Sequence, residues 1–283
     1  MVEQLEDRGF KKVTEVFPEA TIKFLGIDYE MVVPYPSTIF LSEKCEQRLD
    51  NVFQIYENKL LDLEYHSTDL QNKPLGRYDT YKTNLRVVSK KFTKQQIICT
   101  GNPAKSKRTL LIDEGDECKF DIYFPLEDDA DEKIKILEDI ISNNRKIASD
   151  DVEVMYLTYP LYMKSELSDA ELLYKIADLT NQVKGLNEDE LDAIKIFQKA
   201  FMVKYIPRDH ELYEEIENMV SIEDIRLMEE LFPDACERKY ASVRNEGIEI
   251  GRKDVAKEMI GINYSFDEIS RVTGLSIERI GKL

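Results

Sequence analysis

The chain is 283 residues long, 42% hydrophobic and 10% aromatic, with few glycines and prolines, and its 39 Lys and Arg against 56 Asp and Glu leave a net charge of −17. Such a composition belongs to an ordered globular chain of roughly two domains with a sizeable core, and excludes fibrous and disordered classes. The overall charge opposes indiscriminate attraction to nucleic acid, so any such contact must be local.

Val13, Val16, Phe17, Ile22 and Leu25 recur at helical spacing over residues 11–26, interrupted at Pro18 and closed by Gly26. A connector, Pro34-Tyr35-Pro36-Ser37, breaks that pattern. Residues 49–56 are rich in Val, Phe, Ile and Tyr, Glu57-Asn58-Lys59 is turn-like, and residues 60–66 alternate apolar with polar side chains, which together predict two strands of a hairpin. Period-two geometry sets Asp62, Glu64 and His66 on one face and Leu61, Leu63 and Tyr65 on the other, so burying the leucines exposes the carboxylates. A three-residue loop pairs Tyr56 with Leu60 and carries Asp50 opposite His66 and diagonal to Glu64. A two-residue turn slips the pairing by one and turns Asp50 away. With Asp50 on the shared face, Asp50 and Glu64 are a minimal oxygen set for Mg²⁺ or Mn²⁺; spacing alone equally describes a solvated strand face.

Residues 77–91 read as a helix, 95–100 as a strand, Gly101-Asn102-Pro103 as a turn, and 110–112 and 119–124 as short strands, completing an α/β sandwich over residues 1–126. Residues 77–108 hold nine basic side chains against the single acid Asp79, a local excess of +8. Within that run Lys82, Arg86 and Lys90 recur every four residues, a helical stripe suited to a phosphate backbone or simply a solvated helix face.

Glu127-Asp128-Asp129-Ala130-Asp131-Glu132 opens a mostly helical half, residues 127–240, as acidic charge complementing a helix start. Helical spacing is clear over residues 167–179, 191–205 and 212–232, with an extended insert at 152–159, and His210 reads as an ordinary surface histidine. Residues 241–283 form a charged helix and a tail: Ser265-Phe266-Asp267-Glu268 is a capping box, Thr273-Gly274-Leu275 a break, and Ser276 a second cap. This helix-turn-helix outline has a short, barely basic second helix, which suits packing or self-association better than groove reading.

The acidic amino terminus lacks a leader pattern and no apolar run reaches the roughly 18 residues of a membrane helix. Cys45, Cys99, Cys118 and Cys236 form no CxxC or Cys/His cluster, which predicts free thiols in a reducing cytoplasm and no contact with membrane. Phosphate-loop, dinucleotide, serine-hydrolase and zincin motifs are missing, and the only two histidines lie far apart, which leaves hydrolysis by a carboxylate-bound metal.

Arg48-Leu49-Asp50-Asn51-Val52-Phe53, a turn, Leu61-Asp62-Leu63-Glu64-Tyr65-His66-Ser67-Thr68 and then Arg77-Tyr78-Asp79-Thr80-Tyr81 resembles, in order and spacing, the recombination-promoting nuclease and putative transposase family of the PD-(D/E)XK superfamily. Asn245-Glu246-Gly247-Ile248-Glu249-Ile250-Gly251-Arg252 and the helix-turn-helix tail look like that family's ending. The resemblance implies an αβββαβ core followed by a mostly helical half, and a metal-dependent endonuclease that cuts DNA phosphodiester bonds in recombination or mobile-element work. Its implied roles are Asp50 and Glu64 as Mg²⁺ or Mn²⁺ ligands, His66 at the lysine position, Arg77 with Tyr81 as the (Q/R)xxxY helix element, and Glu15 or Glu19 as an added first-helix acid. DNA would lie against Arg77, Tyr81, Lys82, Arg86 and Lys90, and the helical half would serve any pairing with a second copy. His66 departs from the family's Lys or Gln, and since an ordinary imidazole titrates near 6.5, the alternative is a weakened relative that binds nucleic acid or protein.

Overall fold

The structure is a computed structural model that describes residues 2–42, 45–113, 116–222, 253, 255–257, 259–261 and 264–282. Two compact units divide the chain, Met1–Ile222 and Glu223–Leu283.

The first unit starts with α1 (Val2–Val16), nine residues ahead of the expected start, because the buried stripe of Phe10, Val13 and Phe17 continues back to Glu6. Pro18 begins α2 (Pro18–Phe24) where its missing N–H needs no partner, and Gly26, at φ +64°, takes the left-handed conformation after the helix. Strands β1 (Val33–Pro34), β2 (Thr38–Ser42), β3 (Cys45–Arg48), β4 (Asn51–Tyr56) and β5 (Lys59–His66) precede α3 (Asn72–Ser89) and β6 (Phe92–Cys99). They are followed by β7 (Thr109–Asp113), β8 (Asp116–Lys119) and β9 (Asp121–Tyr123).

Five strands form one mixed sheet in the order β1-β4-β5-β6-β9, antiparallel on the β4 side of β5 and parallel on the β6 side, with α3 as the crossover from β5 to β6. Pro34 stands on the edge strand, where its missing N–H breaks no ladder. Strands β2 and β3 form a separate hairpin, absent from the sequence reading, and β7 and β8 form another. Ile39 of β2 packs with Leu85 of α3, and Leu110 of β7 packs with Tyr78, so the two hairpins brace the helix.

Strand β5 is buried on both faces. Leu61 and Leu63 meet Ile22, Ile27, Phe53 and Ile55, while Leu60, on the α3 side, meets Ile39, Leu49, Val52 and Leu85. The expected exposure of the carboxylate face is thereby overturned, since a crossover helix covers the second face of a parallel strand pair.

The helical half comprises α4 (Ala130–Ser142), α5 (Asp169–Gln182), α6 (Glu188–Tyr205) and α7 (Tyr213–Met219). Asp129 caps α4 by accepting from the Asp131 and Glu132 amides, as the acidic block predicts. Residues 152–159, expected to be extended, instead form 3₁₀ turns at Val152–Leu157 and Tyr159–Tyr162; Val154, Met155, Leu157 and Tyr159 are all buried, and a short apolar run carries no unambiguous period. One apolar core holds Phe10, Val13 and Tyr65 together with Ile134, Leu173 and Phe197, so packing continues through the expected boundary at residues 126 and 127. The Phe10 ring stacks on Tyr65 at 5.4 Å and meets Phe197 edge-on at 4.7 Å. Among the described residues no helix is long and apolar enough to cross a membrane.

In the second unit Ser265 and Glu268 close the expected capping box on a helix at Phe266–Thr273, Gly274 turns at φ +72°, and Ser276 caps Ile277–Ile280. Ala256, Ile269, Leu275 and Ile280 make its small core. The part of the expected 212–232 helix beyond 222 and the Gly-punctuated 245–252 segment lie outside the described residues.

A polar tie joins the two halves of the first unit: Lys204 Nζ of α6 donates to Glu6 of α1, which is 1% exposed and also accepts from Thr100 Oγ1 at 2.8 Å. Removing one partner strands a buried charge. Lys204→Met should therefore cost about 3 kcal/mol in urea unfolding, and adding Glu6→Gln should recover most of it; additive losses would contradict the pairing.

Candidate active site

The β4–β5 hairpin decides which side chains meet. Tyr56 pairs with Lys59 across a two-residue turn, Glu57-Asn58, not the expected three-residue loop. That turn alone would have turned Asp50 to the far face, but a bulge at Ile55 shifts the register once more, so that Gln54 pairs with Leu60 and Asn51 with Leu63. The Ile55 carbonyl accepts from the Glu30 and Met31 amides. Two slips restore the parity, and Asp50 arrives opposite Glu64 instead of opposite His66.

Asp50 and Glu64 hold each other through the backbone. The Asp50 amide donates to Glu64 Oε1 at 3.4 Å, and the Tyr65 amide donates to Asp50 Oδ2 at 3.0 Å. Asp62 lies one step back on the same face of β5, fully buried, and accepts from Gln95 Nε2 of β6 at 2.7 Å. The same amide nitrogen donates to the Tyr78 carbonyl at 2.9 Å, tying strand to helix.

Burial pushes every one of these carboxyls upward. Asp62 rises from 3.8 to about 7, chiefly through desolvation, with Gln95 opposing and the Asp50 charge adding to it. Glu64 rises well above its ordinary value through desolvation and then the charges of Asp62 and Asp50. Asp50 is raised by desolvation, against which the Tyr65 amide and the fields of Lys11 and Arg77 act.

From α1, Asp7 joins this group; desolvation and then Asp50 raise it to about 7. Asp7 is the α1 acid on which the Asp50 charge acts, whereas Glu15 is exposed and Glu19 lies in the turn that starts α2. The period that reveals Asp7 is the helical one extended back from Phe10 and Thr14. Asp7, Lys11, Tyr78 and Gln95 are the residues that sequence reasoning missed.

His66 sits on the carboxylate face one step beyond Glu64, with Nδ1 3.1 Å from Tyr78 Oη and Nε2 3.2 Å from Thr68 Oγ1. Tyr78 donates its proton to the Tyr65 carbonyl and accepts from Arg77 Nη2 at 3.1 Å. His66 Nδ1 is then the donor to Tyr78, and Nε2 accepts from Thr68. Arg77 lies over the Tyr78 and Tyr81 rings at 4.9 and 5.8 Å, and Asp7, Asp50 and Glu64 all feel its charge.

The structure separates the expected DNA-contact residues into two groups. At 100° per residue, Arg86 is about half a turn around α3 from Arg77, so Arg77 and Tyr81 lie on one flank and Arg86 and Lys90 on the other. Lys82 shares the flank of Arg86 and is near enough to favour ionised Asp62. Lys90 ends the helix in the left-handed conformation at φ 56°.

Comparison of the chain with known protein families, curated proteins and solved structures returned no match.

Asp62 Oδ1 and Asp7 Oδ1 are buried and without a hydrogen-bond partner. A divalent cation would answer both that deficit and the repulsion among four carboxyl groups, so the residues fit Mg²⁺ or Mn²⁺. Among the described residues no group of three or more His, Cys, Asp or Glu is arranged as a metal cage. What is on offer is the two-carboxylate kind of site that leaves the remaining positions to water and substrate oxygens.

A carboxyl raised in the folded state contributes stability fully present below its unfolded value near 3.8 and lost as pH rises through about 7. Asp62→Asn removes that loss. It should stabilise the metal-free protein on the order of 2–4 kcal/mol at pH 8 and progressively less toward pH 4, read from melting curves across that range; a pH-independent effect would count against it.

Proposed function

We propose that the chain is a divalent-metal-dependent DNA endonuclease of the PD-(D/E)XK type. The observation that carries the reading is the backbone lock between Asp50 and Glu64 on a buried face, beside carboxylate oxygens that lack partners. The order of α1, the β4–β5 hairpin, α3 and β6 supports an αβββαβ core, and the motif order resembles the recombination-promoting nuclease and putative transposase family; the link to recombination or mobile elements rests on that resemblance alone.

Asp50 and Glu64 would hold Mg²⁺ or Mn²⁺. When bound, the ion lowers the pKa of a coordinated water and offsets charge on the scissile phosphate. Arg77, oriented by the Tyr78 and Tyr81 rings, directs its remaining guanidinium donors at a phosphate oxygen. His66, with Nδ1–H engaged by Tyr78, keeps its basic lone pair on Nε2, where the Thr68 hydroxyl bridges to incoming water. The engagement of both ring nitrogens by protein groups is also what favours the second reading, a weakened relative that binds DNA without cutting it.

Incubation of supercoiled plasmid with Mg²⁺ or Mn²⁺ tests the proposal. Wild type should nick, and Asp50→Ala and Glu64→Ala should each lose on the order of a hundredfold or more; nicking that survives both, or none at all, removes it. His66→Lys should keep or raise the rate, and a folded but inert lysine variant would exclude a catalytic role for His66.

A further inference from the structure

Half a turn around α3 from Arg77, the surface falls into a hollow of about 550 Å³ lined by Asp79, Lys82, Thr83, Arg86, Val87 and Thr93. That volume lies within the range of about 300–1,000 Å³ in which small ligands are held. Phe92, at the start of β6, stands beside it with its ring 61% exposed and the Arg86 guanidinium 5.9 Å from its centroid. Thr93 Oγ1 is buried and has no hydrogen-bond partner. Asp79, the one acid in the lining, accepts from Cys118 Sγ of β8 at 3.6 Å.

We infer that this hollow is a subsite for a nucleotide of single-stranded DNA. It rests on the nuclease reading only for the choice of DNA as the polymer. Lys82 and Arg86 supply cationic donors for a phosphate, in the one region of a −17 chain that carries a +8 excess. Thr83 and Thr93 supply hydroxyls for sugar or base. The exposed ring selects among DNA forms. A base in a duplex keeps its faces stacked on its neighbours, whereas an unpaired base can cover Phe92. Thr93 stands two residues along β6 from Gln95, whose amide bonds Asp62, so a strand held in the hollow lies beside the carboxylates. The substrate class is therefore DNA with an unpaired segment next to the cut, such as a flap or a frayed end.

Fluorescence anisotropy in EDTA provides the test, with a labelled single-stranded oligonucleotide, the same strand annealed to its complement, an RNA of the same sequence, and inorganic phosphate as competitor. The single DNA strand should bind about tenfold tighter than the duplex, and Phe92→Ala and Arg86→Ala should each weaken strand binding about tenfold while melting like wild type, since both side chains are exposed. Equal affinity for duplex, preference for RNA, displacement by phosphate alone, or an unchanged Phe92→Ala protein would each overturn the inference. Binding in EDTA requires no metal. A protein that binds the strand but nicks nothing discards the nuclease reading alone, and one that nicks but binds strand and duplex alike discards the subsite alone.

Discussion

Carboxylates enclosed between a sheet and a helix set the terms for the rest of the first unit. Strand β5 has leucines on one face and Asp62, Glu64 and His66 on the other, and both faces are covered. Ionised groups in that position cost several kcal/mol each unless paired, yet no lysine or arginine forms a direct ion pair with Asp50, Asp62 or Glu64 among the described residues. The protein meets the difficulty with backbone amides and one glutamine. Each of these holds the carboxyls in place without neutralising them for good, which is the condition a reversible cation ligand requires.

The same constraint explains the use of the helical half. Asp7 reaches the cluster only because the first turns of α1 are held down, and Glu6, its neighbour, is anchored by Lys204 of α6 and by Thr100 just past β6. Phe10 adds an apolar anchor against Tyr65 and Phe197. Helices distant in sequence thus determine where an acid in the first turns of the chain points. Residues 1–126 taken alone would keep Thr100 and Tyr65 but lose Lys204 and Phe197 from that anchoring, which is why the core does not divide where the composition changes.

Much of the hairpin was legible from alternation: the two strands and the shared face of Asp62, Glu64 and His66 follow from period-two spacing. The opposition of Asp50 to Glu64 was not, because it depends on a turn and a bulge whose separate effects on parity cancel. No residue type at Ile55 announces a bulge; the amides of Glu30 and Met31 that satisfy its carbonyl come from a connector some 25 residues earlier. Burial of the carboxylates was hidden for a similar reason, since alternation identifies two faces and cannot say that a later helix covers the polar one. The capping box at Ser265 and the acidic start of α4 were readable because each is settled within four residues. The 3₁₀ turns at 152–162 were not, because their shape is imposed by burial against α2 and α5.

Opposite placement of Arg77 and Arg86 on α3 changes what the basic run means. A single stripe reads as one surface for one backbone, and Lys82, Arg86 and Lys90 do share a flank, but Arg77, half a turn away, also acts on the carboxylates, after Lys204 at Asp7 and after Lys11 at Asp50. Helix α3 therefore serves two surfaces: one flank orients a guanidinium over the acidic cluster by stacking it on Tyr78 and Tyr81, and the other opens beside Phe92. Coulomb fields fall off within about 8–10 Å in physiological salt, so the two flanks act on a polyanion as separate contacts and not as one continuous potential. A strand that touched only Arg77 would meet a cluster that repels it unless a cation intervened. Engagement of both flanks places a phosphate near the carboxylates against that repulsion, and it is the braced position of α3 between two hairpins that keeps the flanks at a fixed separation.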